Sequence, residues 1–330
     1  MTMNSERLQT KTTHNSTGRV VLNALGRIQP IYYILVGILV WITLINPNFI
    51  QPQPFLTFLK RAAPLAVLAA GQFFVIVSGN FDLSVGSTIT MVVLTGSLLM
   101  DAKPENTWWV MGLLVGLGLA IGLINGFVTS VLKVPSFITT LGMMLIIKGL
   151  ALFFSGGAPQ GYLPDNFRIF GRANLVGVFP IAVLVMIVVG SIFYLLAHRT
   201  NFGRQVFAVG DNSKTSALSG IQFHRIRILS FVISSISAII AGILLGGFSG
   251  VSNAAGQGFD MQAIAAVVLG GANMAGGRGS LPTAMAGGIT LQALFTLLNL
   301  LGLPKPFRDA VEGLIIIGSV AYGAYRNRKA

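Results

Sequence analysis

The chain contains no cysteine, so disulfides, zinc–thiolate sites and cysteine nucleophiles are excluded. Charge is scarce too. Asp, Glu, Lys and Arg make up 9% of the 330 residues, against about 25% in a soluble domain. The three histidines, His14, His198 and His224, are scattered. No metal site is expected from them, and each reads as a solvated or headgroup-level residue. No GxxxxGK[ST] phosphate loop occurs. The stretch "GGANMAGGRGS" (270–280) is glycine-rich but lacks the closing Lys-Ser/Thr pair, and reads as a tight turn. The chain is therefore expected to hydrolyse no ATP, hold no cofactor and carry no catalytic residue. Residues 1–27 lack the apolar core and small-residue cleavage site of a signal peptide. They are expected to form a cytoplasmic tail, with a short interfacial helix around Val20 to Leu25.

What the sequence has instead is apolar surface: 53% hydrophobic residues and a mean hydropathy of +0.78. An all-α, polytopic membrane protein is expected. A spanning helix needs about 20 apolar residues. Candidates lie at 30–46, 62–79, 83–100, 107–132, 135–154, 175–197, 227–248, 262–274, 281–301 and 309–325, ten in all. The eighth is too short to cross alone and reads as a re-entrant or broken helix. The net charge of +13 would suggest nucleic acid in a soluble protein, but here it sits in short loops. With the N-terminus inside, 14 basic residues fall in the cytoplasm and 7 outside, with Lys148 within a span. That bias follows the positive-inside rule, puts both termini in the cytoplasm and removes nucleic acid as an expected partner. The expected organisation is the tail, 1–27, followed by one transmembrane domain, 28–330.

Two series of small residues, Gly118–Gly122–Gly126 in the fourth span and Ala238–Gly242–Gly246–Gly250 in the seventh, recur every four residues. Each lines one helix face and predicts close helix packing. The two halves of the chain also echo each other. "GNFDLSVGSTITMVVLTGSLL" begins at Gly79 and "GQGFDMQAIAAVVLGGANMAGG" at Gly256; in both a Phe-Asp pair, Phe81-Asp82 or Phe259-Asp260, opens an apolar segment. "VPSF" (134–137) and "PKPF" (304–307) open the fifth and tenth spans. In the ten-span count the first Phe-Asp lies toward the cytoplasm and the second toward the outside, so two inverted repeats are expected.

Ionisable residues in or beside spans are few: Asp82, Lys148, Asp260, Asp309 and Glu312. This is a thin set for a proton relay. Glu312 has Arg308 at i−4 as a pairing partner. An isolated mid-helix Asp costs roughly 2.5–3.5 kcal/mol on insertion scales, so Asp82 is expected at a junction between spans two and three. There it would cap the following helix, accepting from N–H groups near Ser84 and Val85. Gly86 would let another backbone come close. A place on a solute pathway and a proton role stay open as alternatives for Asp82. The longest cytoplasmic loop, 198–226, carries turn signals at Gly203, Gly210 and Asp211-Asn212. A short helix from Ser213 to Leu218 follows, with Asn212 as N-cap and Gly220 as stop. Such a helix offers a grip for a partner; a plain basic loop that holds the topology is the alternative.

At these residues the chain resembles the inner-membrane permease subunits of bacterial ABC importers for monosaccharides, the ribose-type family. "SGNFDLSVGS" (78–87) is similar to that family's Ser-Gly-Gly-Ile-Asp-Leu-Ser-Val-Gly-Ser signature. "VPSFITTLGMMLIIKGL" (134–150) resembles its Pro-x-Phe-Ile-x-Thr-Leu-Gly segment, and "FGRQVFAVGDNSKTSALSGI" with "AIAAVVLGGANMAGGRGS" resembles its coupling loop and glycine-rich turn. The likeness runs from about Pro30 to Tyr325. It implies ten spans in two inverted halves and a second permease subunit, identical or not. It also implies a duplicated cytoplasmic ATPase and a periplasmic sugar-binding protein. Residues 210–221 would dock on the ATPase, with Gly210, Asn212, Ser219, Gly220 and Ile221 matching the family's loop. Asp82, Ser84, Gly86 and Asp260 would mark helix junctions. There are departures: Asn80-Phe81 for Gly-Ile, Thr215-Ser216 for Ala-Ala, and Asp260-Met261-Gln262 for Glu-Leu-Asp.

The implied mechanism is alternating access without covalent chemistry. A neutral sugar needs only a weakly polar route. Asn125, Asn273, Gln292 and Asn299 are polar residues in or beside spans that could line it; each could equally serve as an interhelical hydrogen-bonding group. Rival readings are a permease of the same build for an amino acid or another small solute, an ion-coupled secondary carrier, and a membrane scaffold.

Overall fold

The computed structural model describes residues 29–175, 177–304 and part of the stretch 306–321. The expected tail, 1–27, with its helix around Val20 to Leu25, lies outside the described residues, as do Asp309, Glu312 and much of the tenth span. The helices are α1 (Pro30–Ile45), α2 (Pro52–Val77), α3 (Val85–Met100), α4 (Thr107–Ser130), α5 (Ser136–Phe154), α6 (Asp165–Arg172), α7 (Ile181–Arg199), α8 (Asn201–Asp211), α9 (Ser213–Leu218), α10 (Phe223–Ser249), α11 (Phe259–Leu269) and α12 (Leu281–Leu300). Two two-residue strands, β1 (Asn174–Leu175) and β2 (Phe179–Pro180), pair antiparallel before α7. Among the described residues six helices are long and apolar enough to cross a membrane, and α1, α3 and α11 are shorter apolar helices. The protein is a multi-pass helical membrane protein.

Several boundaries differ from those expected: the seventh span starts at Phe223 rather than 227, and the eighth runs Phe259–Leu269 rather than 262–274. The second span starts at Pro52, ten residues early, because Pro52 at the first helical position has its φ preset for the helix. Lys60 and Arg61 are therefore helical rather than part of a loop. The sixth starts at Ile181 instead of 175, because the β1–β2 pair, turning through Gly177 at φ +77°, takes up the preceding residues. Gly203 and Gly210 are not turns; both lie inside α8. They are glycine because other backbone touches them there, Ala197 at Gly203 and Val77 at Gly210.

At the centre stand α2, the most buried of the six long helices, and α10. Helices in lipid associate through close packing rather than through a hydrophobic drive, and the glycine series supply it. A Cβ at Gly126 would lie 2.6 Å from the Ile228 Cα, and one at Gly122 would lie 2.9 Å from the Phe231 carbonyl oxygen. These contacts seat α4 on α10. On another face of α10, a Cβ at Gly242 would lie 2.8 Å from the Val92 Cβ of α3.

Two helices begin inside the bundle. α11 has 11 residues, about 17 Å, and α3 has 16, about 24 Å, against a hydrocarbon core of about 30 Å. Val85 and Ile89 of α3 and Ala263 of α11 share one core cluster with Leu68 and Ala238. Those last two lie well inside α2 and α10. Gly270 meets Thr283, and Ala266 meets Gly287, so α11 runs antiparallel beside the first half of α12 and starts within its length. The two starts touch. A Cβ at Gly86 would lie 2.7 Å from the Gly256 carbonyl oxygen, and the Gly256 N–H donates to Thr90 Oγ1 at 3.0 Å. The close backbone expected at Gly86 is thus that of the second Phe-Asp stretch.

Candidate functional site

Between Val77 and Val85 the chain turns back into the bundle without helix, and Asp82 lies there, fully buried. Its Oδ1 accepts from the Ser84 N–H at 3.0 Å and the Ser84 hydroxyl at 2.6 Å. Its Oδ2 accepts from the Ser234 hydroxyl of α10 at 2.9 Å. Asn125 Nδ2 of α4 donates to Ser84 Oγ at 3.0 Å, and Ser234 also stands 3.3 Å from Gln72 Oε1 of α2. One carboxyl therefore ties together α2, the start of α3, α4 and α10. No ion pair to Asp82 is found among the described residues; donors alone satisfy it. The N-terminal end of α3 adds a favourable dipole. The bond expected near Val85 is not made; both local donors come from Ser84. Ser234 and Gln72 were not singled out from the sequence. Their signal was a polar residue on the innermost face of each central helix.

The loop between α7 and α10 forms two helices. α9 occupies the expected residues, Ser213–Leu218, and Asn212 Oδ1 caps it by accepting from the N–H groups of Lys214 and Thr215, both at 3.0 Å. Gly220, at φ +81°, ends it, and Ser219 and Ile221 donate back to Thr215 and Ser216 carbonyls at 3.1 and 3.0 Å. Leu218 is 90% exposed. Behind it Gly210 is wedged against the last turn of α2 and the glycine-rich turn; its Cβ would lie 2.6 Å from the Gly277 N, and Gly277 N–H donates to the Val77 carbonyl at 2.9 Å. Residues 270–280 are thus the tight turn that their composition suggested. They brace the loop.

Other residues fall elsewhere. Asn125 is fully buried within the subunit. Asn273 sits in the 270–280 turn, where its Oδ1 accepts from the Ala275 N–H at 3.0 Å. Gln292 is half-buried on α12, and Asn299 is exposed near that helix's end. Asp260 lies half-buried in the first turn of α11. Lys148 is exposed on α5, the least buried of the six long helices. His198 is half-buried in the last turn of α7, where it packs among Phe73, Tyr194 and Phe207, and its Nε2 accepts from the Leu281 N–H at 3.4 Å. Among the described residues no group of three metal-ligating side chains occurs.

The described residues thus form a helical bundle in which two short helices, α3 and α11, begin inside and meet, with the capped helix α9 projecting from one end. The comparisons are specific. Residues 55–320 match the family described as branched-chain amino acid transport system / permease component, and the chain belongs to that family. It is 31% identical over 286 residues to the ribose import permease protein RbsC of Bacillus subtilis, covering 84% of this chain and 87% of that one. It is 32% identical over 294 residues to RbsC of Escherichia coli K12, covering 87% and 91%. It is also 32% identical over 288 residues to the autoinducer 2 import system permease protein LsrC of Klebsiella pneumoniae, covering 87% and 83%. No solved structure matches. With six helices among the described residues long and apolar enough to cross a membrane, the chain is a multi-pass permease of the bacterial inner membrane.

Proposed function

We propose that the chain is the permease subunit of an ATP-driven importer and carries a monosaccharide inward by alternating access. Two such subunits, alike or different, pair over a duplicated cytoplasmic ATPase that performs the hydrolysis. A periplasmic sugar-binding protein delivers the solute. The sugar assignment is supported by the ribose and autoinducer 2 relatives, matched over most of their length. The family's own description favours a second reading, a permease for branched-chain amino acids.

The observation that carries the coupling role is α9 with its bare Leu218. Movement of the ATPase would pull on α9 and pass through Gly210 to the ends of α2 and the 270–280 turn. The ten-span, inverted-repeat plan, with both termini cytoplasmic, is supported by equivalence at a spacing of five. The two short helices that follow Phe-Asp, α3 and α11, are the third and eighth segments. The two central long ones, α2 and α10, are the second and seventh. Gln292 and Asn299 keep a place beside the route; the burial of Asn125 fits helix association instead. Leu218→Asp leaves every buried contact intact. It should abolish co-purification of the ATPase and reduce ATP-driven uptake of labelled ribose at least tenfold. Unchanged assembly and uptake would dismiss α9 as the docking element.

A further inference from the structure

We propose that the solute route passes along residues 250–262, where the loop between α10 and α11 and the first turn of α11 form a wetted wall inside the membrane. This rests on the reading of the chain as a permease.

The loop leaves α10 after Ser249 and reaches α11 at Phe259, whose start lies within the length of α12. Nonhelical backbone thus runs from the far end of the bundle into its interior. Part of it is sealed by protein, since Gly256 is buried against Gly86. Part is not. Ser252, Ala254 and Gln257 are exposed, as is Met261 in the next turn. The N–H groups of Val251, Ser252 and Asn253 find no acceptor among the described residues. Asn253 Nδ2 donates to the Gly157 carbonyl at 2.9 Å, while its Oδ1 is buried without a partner. The half-buried Asp260 lies between these groups and the interior.

Lipid cannot satisfy such a surface. Irregular backbone at membrane depth persists only where protein buries it or where it lines a water-filled cavity, and an acid at that depth faces a bundle interior or such a cavity. The exposed half of 250–262 therefore faces water. Its chemistry suits a neutral polyol: hydroxyl and amide groups from Ser252 and Gln257, a single carboxylate, and the apolar Phe259 and Met261 for the faces of a sugar ring. Of the other polar residues expected to line a route, Asn125 is buried, Asn273 lies in the 270–280 turn and Asn299 near a helix end, and Gln292 is half-buried on α12.

The absence of native cysteine makes a direct test possible. Single cysteines at Gln257 and Met261, and at the exposed apolar positions Val40 of α1 and Ile187 of α7 as controls, are placed in the assembled importer in nanodiscs. Each is then treated with a membrane-impermeant methanethiosulfonate. Only a thiol in contact with water ionises and reacts. Reaction at 257 and 261 should be at least tenfold faster than at 40 and 187. After reconstitution, the reaction should block uptake by the 257 and 261 variants and spare the controls. Uptake is scored with a panel of labelled monosaccharides that the unmodified chain carries. Equal rates at all four positions overturn the proposal, and so does full uptake after complete reaction at 257 and 261. Wild-type failure on every sugar of the panel counts against the sugar reading instead and leaves the rate comparison to decide the wall.

Discussion

Asp82 is held by hydroxyl and amide donors and by no cation among the described residues, which sets what its replacement does. In Asp82→Asn the amide cannot accept from Ser84 and Ser234 as the carboxylate does. Leaving buried groups unsatisfied costs about 1–3 kcal/mol each. The expected result is a lower thermal transition and lower yield, with the pH profile of uptake unmoved. A stable Asn variant whose uptake lost its pH dependence would instead mark Asp82 as a proton carrier. Ser234→Ala should destabilise by a similar amount. Because it shares the network, its effect should add to that of Asp82→Asn by less than the sum, as a double-mutant cycle in thermal unfolding would show.

Elements are joined here by bare backbone, so an added side chain acts on an interface. Gly122→Leu would drive a side chain into Val232 and the Phe231 carbonyl oxygen, where α4 meets α10. Overpacking of that kind costs about 1–3 kcal/mol or more, readable as a drop in the transition temperature of the purified permease. Gly210→Val differs in kind from Leu218→Asp. It should loosen the brace between α8, Val77 and Gly277 and lower the stability of the permease itself, whereas Leu218→Asp should leave stability alone. Circular dichroism melts of the two variants, beside ATPase pull-down, separate brace from grip.

For the whole molecule, the proposed function makes a separate ATPase the energy source. In proteoliposomes with the ATPase and binding protein, removal of ATP should stop uptake and an uncoupler should not. The reverse pattern would identify an ion-coupled carrier. Much of this scale was legible in the sequence, because lipid demands long apolar runs and asymmetric basic loops. α5 lies within one residue of its expected span, and α9 on the expected residues. Pro52 and the β1–β2 pair were harder to weigh. Helix-starting proline and a two-residue ladder act on a scale below hydropathy.

The sequence by itself determined the membrane class, the transport family and the stretches that matter, because apolar length, basic loops and short glycine-rich signatures are local properties. It also located a junction at Asp82 through the cost of an acid in hydrocarbon. Only the tertiary structure decided that this junction is sealed by Ser234 of a distant helix, that Gly86 meets Gly256, and that α3 and α11 start inside the bundle. Those contacts join residues more than 150 positions apart, where no local pattern names the partner; the partner is set by how close two backbones can come and which donors then point at one buried carboxylate.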